Sequence, residues 1–111
     1  MTRMAAGKID NDYPPDPAAS AGALSREIPI INQKGLHARA SAKFVQTVER
    51  FNAQVTVSRC GETVGGTSIM GLMMLAAGIG STIRVTARGP EAEAALAAIE
   101  ALCQDRFGEG E

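Results

Sequence analysis

Gly35-Leu36-His37-Ala38-Arg39 runs straight into Ala40-Ser41-Ala42-Lys43-Phe44-Val45-Gln46-Thr47-Val48-Glu49-Arg50-Phe51, and this join of loop to helix organises the chain around it. Ala40, Phe44, Val45, Val48 and Phe51 follow helical spacing, while Lys43, Gln46, Glu49 and Arg50 fall mostly on the other face. That periodicity predicts an amphipathic helix from Ala38 to Phe51. Gly35 supplies a position that accepts positive φ just before it. His37 is the one histidine of 111 residues and stands where the helix begins. A helix start offers unpaired N–H groups and the positive end of the peptide dipole. An imidazole held there can donate a proton, bind an anion or carry a phosphoryl group, with Arg39 as a planar cation beside it.

Working outward, Glu27-Ile28-Pro29-Ile30-Ile31 reads as a short strand with Ile28 and Ile30 on one face. Pro29 has no N–H for a ladder, which puts this strand at a sheet edge. Downstream, Gln54 to Arg59 alternates, Cys60-Gly61 makes a tight connection, and Glu62-Thr63-Val64 follows, the pattern of a hairpin. Gly65-Gly66 breaks the strand, and Thr67 or Ser68 caps a short helix through Ile69-Met70-Gly71-Leu72-Met73-Met74-Leu75. Ile69, Leu72 and Leu75 or a similar triplet are expected in the core, which leaves Met70 and Met73 either as further core or as an adaptable partner-binding patch. After Gly78 and Gly80, Ser81 to Ala87 alternates with Ile83, Val85 and Ala87 inward. Gly89-Pro90-Glu91 opens a last helix that runs to about Arg106, its buried stripe being Ala92, Ala95, Leu96, Ile99, Leu102 and Cys103. The order βαββαβα predicts an α+β fold in which one face of a four-stranded sheet carries the helices.

Composition excludes several classes. A net charge of −1 leaves no bulk electrostatic basis for nucleic-acid binding. No apolar run reaches the length of a membrane span, and Met1-Thr2-Arg3-Met4 lacks a secretory core, so a cytoplasmic protein without membrane contact is expected. Cys60 and Cys103 have no metal-ligand spacing and are expected as free thiols rather than as a disulfide. One histidine and two scattered cysteines give no metal site, and no cofactor is expected. No carboxylate is placed by sequence to orient the imidazole for serine–histidine hydrolysis. Residues 1–24, with Asp10-Asn11-Asp12-Tyr13-Pro14-Pro15-Asp16-Pro17 and then small residues, read as a disordered extension before a domain over 25–111.

Two segments, Lys34-Gly35-Leu36-His37-Ala38-Arg39-Ala40-Ser41 and Thr67-Ser68-Ile69-Met70-Gly71-Leu72-Met73, resemble the active-site and regulatory-serine signatures of the HPr family. These are small histidine phosphocarriers of the bacterial phosphoenolpyruvate-dependent phosphotransferase system. The resemblance covers roughly residues 25–106. It implies an open-faced β-sandwich, a four-stranded antiparallel sheet covered on one face by three helices. It also implies a monomeric carrier without turnover of its own. Nδ1 of His37 would take a phosphoryl group from enzyme I and pass it to an EIIA-type protein, in either a sugar-transport or a nitrogen-regulatory branch. Arg39 would stabilise the phosphate. Leu36, Ala40, Ile69, Met70 and Met73 would meet partners, and Ser68 would be the regulatory phosphorylation site for an HPr kinase/phosphorylase. Ala40 stands where most members have proline, and Thr67 replaces a common basic residue. The competing expectation is a corepressor-like binding module controlled through Ser68, although family members of that kind lack the histidine.

Overall fold

The computed structural model describes residues 23–109. Its elements are β1 (Leu24–Pro29), α1 (Ala38–Val48), β2 (Gln54–Arg59), β3 (Glu62–Gly65), α2 (Ile69–Met74), β4 (Thr82–Arg88) and α3 (Ala92–Gln104), followed by a 3-10 turn at Arg106–Gly108. The four strands form one antiparallel sheet in the order β1-β4-β2-β3. This is the expected α+β open-faced sandwich. β1 has a single neighbour, β4, so Pro29 sits on an edge strand as its missing N–H requires. The expected extension over 1–24 lies outside the described residues except for its last two. Of those, Leu24 is already in β1, opposite Ala87.

The helices cover one sheet face because the strands alternate. Ile28 and Ile83 lie opposite one another, as do Val57 and Val85, and all four are fully buried. Phe44, Leu72, Leu96, Ile99 and Phe107 complete an aliphatic core with little aromatic content. On the other face Arg84 pairs with Glu27 across β4 and β1 at 2.8 Å. At the hairpin, Cys60 and Gly61 both take positive φ, 52° and 83°, the two-residue turn whose twist matches the flanking strands.

Several boundaries depart from the periodicity: β1 covers Leu24–Pro29, not Glu27 to Ile31, because its ladder to β4 pairs Leu24 with Ala87 and ends at Pro29 with Thr82, and both long helices differ at their ends. α1 ends at Val48, not at Phe51, because the last turn tightens to i→i+3 bonds, Arg50 N–H to Thr47 O and Phe51 N–H to Val48 O. Phe51 still packs partly against the core. α3 begins at Ala92, so Pro90 lies outside its first turn, and the carboxylate of Glu91 accepts from Asn52 N–H at 2.6 Å instead of capping α3. α3 stops at Gln104 because Arg106, Phe107 and Gly108 take φ of 55°, 56° and 76°, which reverses the chain. In α2, Leu72 and Leu75 are buried as expected. Ile69 is not a core residue: it is 39% exposed, since a helix of six residues turns only one side inward.

Gly35 seats the loop before α1. Its φ is +63°, and a Cβ there would stand 2.3 Å from Ala77 O and 2.8 Å from the Cα of Gly78. The close approach lets Leu36 N–H donate to Ala77 O at 2.9 Å, which locks the loop that carries His37 onto the segment after α2. Gly35→Ala is therefore expected to lose at least about 2 kcal/mol of stability through combined strain and overlap with backbone. A denaturation midpoint equal to that of the parent would contradict this.

Both cysteines are free, Cys60 exposed and Cys103 buried. Burial, with Glu100 nearby, pushes the Cys103 thiol up from 9.0 to about 12. Its proton is thus kept in the folded chain and lost in the unfolded one between those values, so stability contributed by Cys103 declines as pH rises above 9. Iodoacetamide at pH 8.5 is expected to modify one thiol per native chain and two after denaturation. Modification of both thiols in the native chain would show that Cys103 is not held as described.

Candidate functional site

α1 begins without a serine, threonine or aspartate to close it. The residue at its N-cap is His37, in extended conformation (φ −74°, ψ −176°), and the imidazole itself does the capping. Arg39 N–H and Ala40 N–H donate to Nδ1 at 3.1 and 3.3 Å. The main-chain oxygen of His37 accepts the first helical bond from Ser41 N–H at 2.8 Å, and Ser41 Oγ–H donates to Leu36 O at 3.2 Å. These bonds assign the neutral tautomer: Nδ1 carries the lone pair, and the proton is on Nε2.

The other side of the ring is held by a residue far away in sequence. Nε2 lies 2.6 Å from Oε2 of Glu109, and the two side chains are 26% and 15% exposed. Buried Asn32 donates through Nδ2 to Gly35 O at 2.9 Å, and the same amide reaches both Glu109 oxygens at 3.3 and 3.4 Å. The segment that brings Glu109 here is fastened by buried Phe107, whose carbonyl accepts from Lys43 Nζ at 2.6 Å. Lys43 therefore does not simply face solvent. The carboxylate that sequence spacing did not supply comes from the chain's return after α3. A Phe-Gly pair just beyond a helix, with the phenyl ring returning to the core, is the one trace of it in the sequence.

Arg39 is exposed, and its guanidinium has no hydrogen-bond or ion-pair partner among the described residues. The first turn of α1 contains no acidic residue, so the positive end of the helix is not neutralised from within. Leu36 and Ala40 were expected to meet partners, but they are 5% and 0% exposed and belong to the core. They support the site from beneath, because residues flanking the cap must anchor loop and helix to the sheet. Ala40 has a second part to play: its N–H is one of the Nδ1 donors, a bond that proline could not make.

Ser68 is the N-cap of α2, and its exposed Oγ accepts from Gly71 N–H at 3.0 Å. Ile69, Met70 and Met73 are exposed, as are Met74 and Ile79, whose exposure no periodicity in so short a helix and loop reveals. α2 packs against α1, and Ile79 lies two residues beyond the Ala77 carbonyl that holds Leu36. Ile79 is thus near the loop bearing the imidazole in sequence terms, and the other apolar side chains are carried by a helix packed on α1. Among the described residues no three His, Cys, Asp or Glu side chains gather as a metal site, and no helix is long and apolar enough to cross a membrane.

The family model described as the PTS HPr component phosphorylation site matches residues 24–105. Phosphocarrier protein HPr of Cupriavidus necator is 54% identical over 88 residues, covering 79% of this chain and 99% of the relative. The crystal structure of HPr-C-His from Thermoanaerobacter tengcongensis superposes with a TM-score of 0.76 at 38% identity, over 79% of this chain and 99% of that one. A phosphocarrier protein HPr from Bacillus anthracis gives 0.71 at 41% identity, over 74% and 98%. A match of this extent in sequence and in fold places the chain in one family: it belongs to HPr, the phosphocarrier proteins of the phosphotransferase system.

Proposed function

We propose that His37 is the phosphoryl acceptor, charged at Nδ1 by phosphorylated enzyme I and discharged to an EIIA-type protein in the cytoplasm. The observation that carries this reading is the N-cap: the nitrogen with the free electron pair is the one that lies over two helix amides. When Nδ1 forms a bond to phosphorus, the amides of Arg39 and Ala40 transfer their donation to phosphoryl oxygens. The charge then sits at the positive end of α1, and the Arg39 guanidinium closes on the remaining oxygens. The chain needs no base to activate the nucleophile, because Nδ1 already lacks a proton. Transfer then depends on in-line approach and charge stabilisation, which a small open site supplies.

Ile69, Met70 and Met73 form the docking rim in this reading, with Met74 and Ile79 extending it. Flexible thioethers suit a surface that must accept both a donor and an acceptor protein. Sugar-transport and nitrogen-regulatory branches would use the same site and differ in the acceptor that docks. Ser68 is proposed as a regulatory phosphorylation site for an HPr kinase/phosphorylase, since its hydroxyl is exposed at the border of that rim.

Incubation with enzyme I and labelled phosphoenolpyruvate is expected to give an acid-labile, alkali-stable phosphoprotein, and His37→Ala is expected to abolish the label. Label on the His37→Ala protein would refute the assignment. Met70→Glu should raise the concentration of carrier needed for half-maximal labelling by about tenfold while the chain stays folded, the scale of losing one anchoring contact at a protein interface. Ser68→Ala should cost about 1 kcal/mol through loss of the α2 cap and still accept label on His37.

A further inference from the structure

Glu109 is the feature of the site that neither the composition nor the motifs foretold, and its placement is expensive. Arg106 and Phe107 hold φ of 55° and 56° without being glycine, a conformation L-residues avoid. The segment keeps it because Phe107 is buried in the core, Lys43 Nζ–H donates to the Phe107 carbonyl, and Glu109 N–H donates to Arg106 O at 3.0 Å. The result is a carboxylate 2.6 Å from Nε2, steadied by the Asn32 amide, with only 15% of its side chain exposed. A strained turn that delivers a half-buried charge to the far side of a nucleophilic ring has the geometry of a carboxylate–imidazole pair, in which the carboxylate orients the ring and balances its charge.

We propose that Glu109 is a positioning residue for phosphoryl transfer through His37, an inference that rests on the phosphocarrier reading above. In the resting protein it fixes the ring plane and keeps the proton on Nε2, so that Nδ1 retains its lone pair at the first amides of α1. In the reaction the Nδ1 pair forms the nitrogen–phosphorus bond as the phosphorus bond to the donor breaks, and that bond's electrons leave with the donor atom. No proton departs from Nε2, so the ring becomes a phosphoimidazolium cation paired with the Glu109 carboxylate. On onward transfer the electrons of the nitrogen–phosphorus bond return to Nδ1 and the ring is neutral again. Glu109 thus acts on the side of the ring opposite the phosphate, where its negative charge favours the cation without crowding the phosphoryl oxygens. Arg39 on α1 serves the oxygens, and Lys43 holds the segment through its backbone.

The test compares the full chain with Glu109→Gln, which keeps an acceptor for Nε2–H but loses the charge, and with Glu109→Ala, which loses both. Two donors are used: enzyme I with phosphoenolpyruvate, and phosphoramidate, a small donor that docks on no protein surface and releases ammonia as its own phosphorus–nitrogen bond breaks. Both variants are expected to be phosphorylated about tenfold more slowly with either donor, the scale of a hydrogen bond to a charged group. Proton NMR is expected to show a solvent-protected, downfield Nε2–H in the parent that is lost in Glu109→Ala, with the rest of the amide spectrum preserved. Parental rates in Glu109→Gln would overturn the proposal. So would slowing confined to enzyme I, which would make Glu109 a docking contact, or the absence of a protected Nε2–H in the parent. Failure of the parent to accept label from enzyme I would instead remove the carrier reading, and the phosphoramidate and NMR arms would still decide the role of Glu109.

Discussion

The open end of α1 is closed by the imidazole of His37, and the remainder of the site follows from that one bond pattern. A helix N-terminus must find acceptors for its first amides. Here the acceptor is a nitrogen of an imidazole ring that would otherwise rotate freely. Capping therefore orders the ring, selects its tautomer and aims its lone pair along the helix axis. Amides at a helix start are also suited to an anion. With no acidic residue in its first turn, α1 leaves that position to an incoming anion.

Holding a histidine at this point takes the whole sheet-and-helix assembly. Gly35 allows the loop to press against Ala77 and Gly78, where no other residue would fit, and Leu36 and Ala40 sink into the core on either side of the cap. From the opposite direction the chain leaving α3 reverses through three positive-φ residues and is fastened by Phe107 and Lys43. The ring is thus gripped at both nitrogens, by local backbone at Nδ1 and by a distant carboxylate at Nε2. Such dual restraint leaves the ring a single orientation.

Much of this was legible in the chain. The switch of hydrophobic period from two to 3.6 and back gave the order of the strands and α-helices, Pro29 named an edge, and Cys60-Gly61 named a tight hairpin. Boundaries were less legible where backbone bonding outweighs side-chain pattern: the tightened end of α1, and the start of α3 once Glu91 turned to Asn52. The site divides in the same way. The positions of His37 and Ser68 at helix starts were legible because a cap depends on neighbours along the chain. Leu36 and Ala40 were misjudged because exposure depends on what packs over a residue, which no local pattern reports.

The sequence by itself determined the order of elements, the histidine at the start of α1 and the family to which its motifs point, because caps, turns and periodicity act over a few residues. Only the tertiary structure decided that Glu109 meets Nε2, that Asn32 steadies it and that Ile69 joins the methionines outside. Glu109 lies 72 positions from His37, and a contact over such a separation exists only when the sheet and α3 have brought the chain's return back to the helix start.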